Sequence, residues 1–259
     1  MKIDLSFLKN IDEDDKLFLK QVSDWVYAAE NKYVNNFSFF LNEKQIALCE
    51  QLFASQKFQH FYFWGGYENA KRKILCVHSE FGEINNDSFP LTPLIFRYRK
   101  VDNLTHRDFL GSFMALNVAR QTIGDIITGE GETQVFVYKK VAPIIIDEIF
   151  KIGRTGVSVS EGVIDNIGDN QAFEEICGTV SSLRLDCILS LVLRLSREKI
   201  KTLISTKGVN VNYMSVNKAD YQLKQNDVFS VRGYGKFVFE SVDGITKKDR
   251  YHITVKKYI

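Results

Sequence analysis

The sequence predicts an α+β protein in three parts: an N-terminal helical and α/β region, a middle α+β sandwich, and a C-terminal pair of short helices packed on a small β-sheet. Three observations carry this reading. Apolar residues at helical spacing open the chain, β-branched strands alternate with two helices in its middle, and basic charge collects in its last third. With 259 residues, 45% hydrophobic and 25% charged, each part has the composition of a domain that buries a core.

In the first part, residues 1–73, Phe18, Val22, Trp25, Val26 and Ala29 fall on one helical face and are expected to form core. Asn42 is placed to cap a second helix carrying Ile46, Cys49, Leu52 and Phe53. His60–Trp64 and Ile74–Ser79 read as strands flanking the loop that starts at Gly65 and Gly66, where glycine permits a tight backbone.

The middle domain, residues 74–164, takes Ile74–Ser79 as its first strand and Leu94–Tyr98 as its next. Thr105, with Asp108 three residues on, makes a capping-box start for a helix that buries Phe109, Phe113 and Leu116. Ile123–Thr128 and Thr133–Val137 are β-branched segments, followed by a helix through Val141 to Phe150 with Pro143 in its first turn. Gly156–Val163 supplies the last strand. This order predicts a ferredoxin-like or RRM-like layout. Asp165 to Asn170 is the best linker segment, within a linker assigned to 165–181.

The last domain, residues 182–259, opens with a helix marked by Leu185, Ile188, Leu189 and Val192. Ile200, Leu203 and Ile204 mark a second helix that ends at Lys207-Gly208. Ser196 caps that second helix, whose free amides and positive dipole end suit a phosphate. Arg197 stands at that end, Lys201 lies one turn further, and Arg184 opens the preceding helix with a planar fork that matches phosphate oxygens. Short strands follow at Val209–Asn212 and Val228–Arg232, and Lys207, Lys218 and Arg232 are expected to rim the same face. Residues 184–259 hold fifteen Lys and Arg against seven Asp and Glu, while the rest of the chain is net acidic. Such a local positive field is the footprint of a polyanionic partner.

Arg184-Leu185-Asp186, Ser196-Arg197, Leu203-Ile204, Gly208-Val209-Asn210-Val211-Asn212, Val216-Asn217-Lys218, Leu223-Lys224, Asp227 and Val231-Arg232-Gly233 follow one another as in an S4 RNA-binding domain, which the segment resembles. Upstream, Gly65-Gly66-Tyr67 with Ala70 and Arg72, Leu104-Thr105-His106-Arg107-Asp108-Phe109-Leu110-Gly111-Ser112 and Ile123-Gly124-Asp125-Ile126 resemble bacterial YlmH-type S4 proteins, within the photosystem II S4-like family. The family pattern has an acidic residue where Lys71 stands. The resemblance implies RNA contacts by Arg184, Ser196, Arg197, Lys201, Lys207, Asn212, Lys218 and Arg232, with Arg72, His106 and Arg107 as additional RNA or ribosome contacts. It further implies a monomer that binds rRNA and tRNA on the large ribosomal subunit carrying a stalled peptidyl-tRNA, in ribosome-associated quality control, from a gene often near cell-division genes.

Other classes fit less well. His106-Arg107-Asp108 lacks the Asn that a kinase catalytic loop carries five residues after its Asp, since Phe113 stands there. The sole Arg-Leu-Asp lies inside the S4-like helix, which argues against a pseudouridine synthase, and no Gly-rich methyl-donor loop is present. The reading is therefore a non-catalytic protein with no cofactor, no metal and no small-molecule substrate; an RNA-modifying enzyme and a division-linked interaction protein are the alternatives. Phe136 and Tyr138 alternate with Val135 and Val137 as base-stacking aromatics would, but the RNA-binding sheet signature is missing and core packing is favoured. The widely spaced Cys49, Cys76, Cys177 and Cys187 form no Cys-x-x-Cys pair and read as buried free thiols. No apolar run approaches the ~18 residues of a membrane span, and Met1-Lys2-Ile3-Asp4-Leu5 leads into the acidic run from Asp12 to Asp15, so a cytoplasmic location without membrane contact is expected.

Overall fold

The structure is a computed structural model that describes residues 12–165 and 173–258. The chain divides into two compact units, Met1–Asn170 and Gln171–Ile259. The linker candidate from Asn166 to Asn170 lies outside the described residues. No helix among the described residues is long and apolar enough to cross a membrane.

The first unit begins with α1 (Glu13–Lys32), capped by the Asp12 carboxylate, which accepts the Asp15 amide at 2.8 Å. Its core face is Leu19, Val22, Val26 and Ala29. Phe18 and Trp25, expected on that face, are only half-buried, because they flank the stripe and line a surface cleft instead. β1 (Asn36–Leu41) then precedes α2 (Glu43–Gln56), which has the capping box of Asn42 and Gln45. β2 (Phe61–Trp64) and β3 (Lys73–Val77) complete an antiparallel sheet in the order β1-β3-β2.

The segment expected to open the middle sheet is therefore the central strand of the N-terminal one. Local pattern makes it a strand, but its partners, β1 and β2, are set by pairing that pattern does not encode. The middle sheet begins at β4 (Leu91–Arg97), followed by α3 (His106–Ala115), β5 (Ile123–Thr128), β6 (Glu132–Tyr138) and α4 (Ala142–Glu148). A two-residue-strand hairpin, β7 (Lys151–Ile152) and β8 (Thr155–Gly156), leads to β9 (Ser158–Glu161). The strand order is β5-β6-β4-β9, antiparallel throughout, with one helix after the first strand and another before the last.

Alternation along β6 puts its two faces to different uses. Val135 and Val137 join Phe96, Phe109, Phe113 and Ile145 in a core beneath the helices. Phe136, on the opposite face and fully buried, packs with Phe40, Ile74, Cys76 and Phe89 from the N-terminal sheet side. Burial of Phe136 and of the half-buried Tyr138 against Phe39 bears out core packing over base stacking.

In the second unit, β10 (Phe173–Val180) precedes α5 (Leu185–Leu193) and α6 (Arg197–Lys207). Then come β11 (Val209–Val211), β12 (Met214–Val216), β13 (Val228–Val231), β14 (Gly235–Ile245) and β15 (Tyr251–Tyr258). They form one antiparallel sheet in the order β10-β15-β14-β13-β11-β12, and both helices bury Leu185, Ile188, Leu189, Ile200 and Ile204 against Phe229, Phe237, Phe239, Ile253 and Val255. Asn212 and Tyr213, both with positive φ, make the two-residue turn that joins β11 to β12.

Part of the expected linker is thus a strand. β10 pairs with β15 over eight residues, and α5 lies so close to it that a Cβ on Gly178 would stand 2.5 Å from Leu191. Cys177 on that strand is exposed, whereas Cys49, Cys76 and Cys187 are buried as expected. We predict that residues 171–259 expressed alone melt cooperatively, whereas residues 182–259, which lack β10, melt at least about 10 °C lower or self-associate through the bared β15 edge. Calorimetry of the two fragments checks this; equal melting temperatures would show β10 to be dispensable.

Candidate nucleic-acid interface

The basic face expected in the last domain is built around the helix pair of the second unit. Ser190 Oγ donates to the Leu195 carbonyl at 2.6 Å, and Arg194 takes a left-handed conformation, so the chain turns sharply from α5 into α6. Ser196 caps α6, its Oγ accepting the Lys199 amide at 3.4 Å. Arg197, exposed at the first helical position, donates from Nη2 to Ser181 Oγ at 2.7 Å, which holds the guanidinium beside the helix N-terminus. Lys201 is exposed one turn on.

Arg184 precedes α5 and grips Asp186 in a two-pronged contact, 3.1 Å and 2.9 Å. Asp186 is 1% exposed, and burial alone would raise its carboxyl; the Arg184 fork, the Cys187 thiol and the charge of Arg197 outweigh burial and hold it below its ordinary value. Arg184 is thus a structural cation with an exposed flank. The Asp186 amide donates to the Ala219 carbonyl at 3.0 Å, which brings the loop holding exposed Lys218 alongside the start of α5.

Sheet register sorts the remaining residues. Val209 pairs with both Val216 and Val231, so Lys218 and Arg232 leave the sheet at the end where α6 runs into β11. Both side chains are exposed; that of Lys207 lies outside the described residues. Asn212 sits at the opposite end of β11, and its side chain is committed there: Nδ2 donates to Asp227 at 2.8 Å and Oδ1 accepts the Val228 amide at 2.9 Å. Asn212 therefore holds a turn, apart from the face that collects the basic residues. The turn chemistry of an Asn with positive φ was the signal that distinguishes it.

The motifs of the first unit prove to be an internal clamp. Asp125 on β5 accepts the Tyr67 hydroxyl at 2.9 Å, the Lys71 amide at 2.7 Å and the Arg72 amide at 3.2 Å, so one carboxylate fixes the whole loop between β2 and β3. Gly66, with φ +101°, lies against the Phe136 ring, where a Cβ would stand 2.1 Å from a ring carbon, and Tyr67 stacks on the same ring at 5.3 Å. Gly124 likewise admits the Phe40 ring, which would stand 2.6 Å from a Cβ there. Arg72 donates Nε to the Ile123 carbonyl at 2.9 Å and Nη2 to the Phe40 carbonyl at 3.0 Å, joining the two sheets. His106 and Arg107 are exposed at the start of α3, where Asp108 closes the capping box by accepting the Thr105 amide at 2.8 Å. Partial burial of its ring, and next the charge of Arg120, lower the His106 pKa.

Sequence reasoning missed several basic groups near these surfaces. Arg194 and Lys199 flank the start of α6, and Lys247 and Lys248 are exposed at the tip of the β14–β15 hairpin. The basic run Lys247-Lys248-Asp249-Arg250 was the available signal for the hairpin tip.

Residues 86–166 match a family described as the putative RNA-binding domain in YlmH, and these bounds enclose the middle sheet from β4 through β9. The chain thus contains a protein module of an RNA-binding-domain family. It is also 28% identical over 247 residues to the ribosome-associated protein quality control protein P2 of Bacillus subtilis (strain 168), a match covering 95% of this chain and 96% of that one. The fold is similar to that of the cell division protein ylmH from Streptococcus pneumoniae, with a TM-score of 0.54 at 18% identity over 62% of this chain and 99% of that one. The chain is similar to YlmH-type proteins, as its motifs imply.

Two predictions follow from these contacts. Asp125→Ala strands two amides and a hydroxyl that it now accepts, and should destabilise the first unit by about 2–3 kcal/mol, read by urea unfolding; wild-type stability would show that the clamp is incidental. Asp186, with its lowered pKa, contributes stability that is present above its ordinary value of 3.8 and lost as pH falls through the lower folded value. Arg184→Ala should therefore move the acid transition of α5 upward in pH, as read by amide exchange in the full chain; an unmoved transition would contradict the pairing.

Proposed function

We propose that the second unit is an S4-type RNA-binding domain and that the protein is a non-catalytic, cytoplasmic RNA-binding adaptor. The observation that carries this reading is the disposition of Arg197, Lys201, Lys218 and Arg232 around α6, with Arg184 beside them, in a segment holding fifteen basic residues against seven acidic ones. Arg197 and the α6 N-terminus together seat a phosphate, since exposed amides, a positive dipole end and a permanent planar cation converge there. Ser196 shapes that end, and Lys207, near the end of the same helix in sequence, is a further basic residue assigned to RNA contact. Two helices on an antiparallel sheet, with Arg184 and Ser196-Arg197 at the helix starts, support the S4 reading.

The partner is structured RNA, rRNA and tRNA on the large ribosomal subunit with a stalled peptidyl-tRNA, bound by a monomer. Near-complete coverage of the Bacillus subtilis relative, whose name places it in ribosome-associated quality control, supports this assignment. The middle sheet, with strand order β5-β6-β4-β9 and two crossover helices, supports an RRM-like reading of residues 86–166. Its flat faces are covered within the unit, so any ribosomal contact it makes is through its edges and through His106 and Arg107 at the exposed start of α3. Arg72 contributes indirectly, by joining β1 to the strand β5 of this sheet through its hydrogen bonds to the Phe40 and Ile123 carbonyls.

RNA affinity should fall with salt at a log–log slope of roughly −3 to −5, as for about four to six phosphate contacts. Arg197→Ala should weaken binding about tenfold, as for a charged hydrogen bond, and Arg197→Glu should weaken it further while the fold survives, because an acidic residue is welcome in a helix's first turn. Filter binding to large-subunit rRNA across a salt series checks both. A flat salt dependence, or wild-type affinity in a folded Arg197→Glu protein, would overturn the proposed face.

A further inference from the structure

The first unit contains a cleft of about 580 Å³ between α1, β1 and the turn before β5. Its chemistry is specific. Arg72 and Arg120 both line it, and both donate to one carbonyl, that of Ile123, at 2.9 Å from Arg72 Nε and 2.6 Å from Arg120 Nη1. Two guanidinium groups therefore stand side by side at the cleft. Among the described residues neither makes a salt bridge, and none of the residues lining the cleft is acidic. The nearby Asp125 carboxylate is committed to the Tyr67 hydroxyl and two backbone amides.

Paired half-buried cations held by neutral carbonyls repel one another. Burial, and next the charge of Arg120, push the Arg72 pKa down to about 10 against the pull of Asp125. An anion with several oxygens is the group this arrangement lacks, and phosphate matches two planar forks better than a single carboxylate does.

Aromatic rings complete the lining. Phe18 and Trp25 leave the core stripe of α1 to line the cleft, and Phe39 adds a ring that is 43% exposed. Gln21 and Gln121 bring exposed amides to it. A cationic floor, ring faces and amide donors and acceptors in a cleft of this size fit a phosphate joined to a planar, hydrogen-bonding ring. We propose that this cleft is a nucleotide-binding site, in which Arg72 and Arg120 seat the phosphate and Phe18 and Trp25 stack the base. The nucleotide is either free or an unstacked nucleotide of an RNA strand; the chemistry is shared. This site is separate from the α6 face and does not depend on it.

The test is titration of the full chain with AMP, adenosine, inorganic phosphate and a short 5′-phosphorylated single-stranded RNA, followed by tryptophan fluorescence and calorimetry. AMP should bind saturably, with adenosine and phosphate each at least tenfold weaker. Arg120→Gln should weaken AMP at least tenfold. Gln21→Glu, an exposed helical substitution that leaves folding intact and sets a carboxylate in the cleft, should do the same and serves if Arg120→Gln fails to fold. Arg197→Glu should leave AMP affinity unchanged, which separates this site from the proposed RNA face. Binding of the oligonucleotide alone, weakened by Gln21→Glu, would support the site and assign its nucleotide to RNA. Absence of saturable binding by both AMP and the oligonucleotide at millimolar concentration, or binding that Gln21→Glu leaves unchanged, would overturn the proposal.

Discussion

The carboxylate of Asp125 is the contact on which the first unit turns. By accepting the Tyr67 hydroxyl and the Lys71 and Arg72 amides, it fastens the loop between β2 and β3 onto β5. That fastening lets Gly66 and Tyr67 close over Phe136, and it aims the Arg72 guanidinium at carbonyls of both sheets. Three acceptor bonds to one half-buried carboxylate are worth more together than apart, because each partner would otherwise face a desolvated void. The glycines on either side are required by closeness rather than by turn geometry alone: at Gly65 and Gly124, as at Gly66, a Cβ would collide with a neighbour.

This arrangement limits the ways in which the middle sheet can meet RNA. A four-stranded sheet with aromatics on its open face can stack bases, but here the face bearing Phe136 is closed by the N-terminal sheet side, and the other face is closed by α3 and α4. Base stacking on this sheet is thereby removed, and the proposed RNA contact rests on phosphates. The basic residues sit accordingly in the second unit, where Arg197 stands at a helix start and Lys218 and Arg232 gather at one sheet end. The second unit has its own buried carboxylate, Asp186, whose pairing with Arg184 sets the first turn of α5 against the 218–223 loop.

Much of this was legible in the residues, and the failures share one cause. Caps and turns are local, so Asn42, Thr105 with Asp108, and Ser196 were read correctly from a few neighbours. Strand partners are not local: residue pattern marks Ile74–Ser79 as a strand but not the sheet it joins, and β10 reads as linker because its partner β15 lies more than seventy residues away. Helical spacing gives the side of α1 but not the edge of its core, so Phe18 and Trp25 read as core although they line the cleft. Arg72 and Asn212 were legible as motif residues but not as structural ones, since a motif records that a residue type is needed, and the geometry of its hydrogen bonds says for what.

The central claim is that the α6 face of the second unit grips RNA. It is tested most directly by ultraviolet crosslinking of the full-length protein to purified large ribosomal subunits, with the crosslinked peptides identified by mass spectrometry. The account predicts crosslinks concentrated in residues 181–236, around Arg197, Lys201, Lys218 and Arg232. Crosslinks confined to residues 86–166, with none in the second unit, would contradict it.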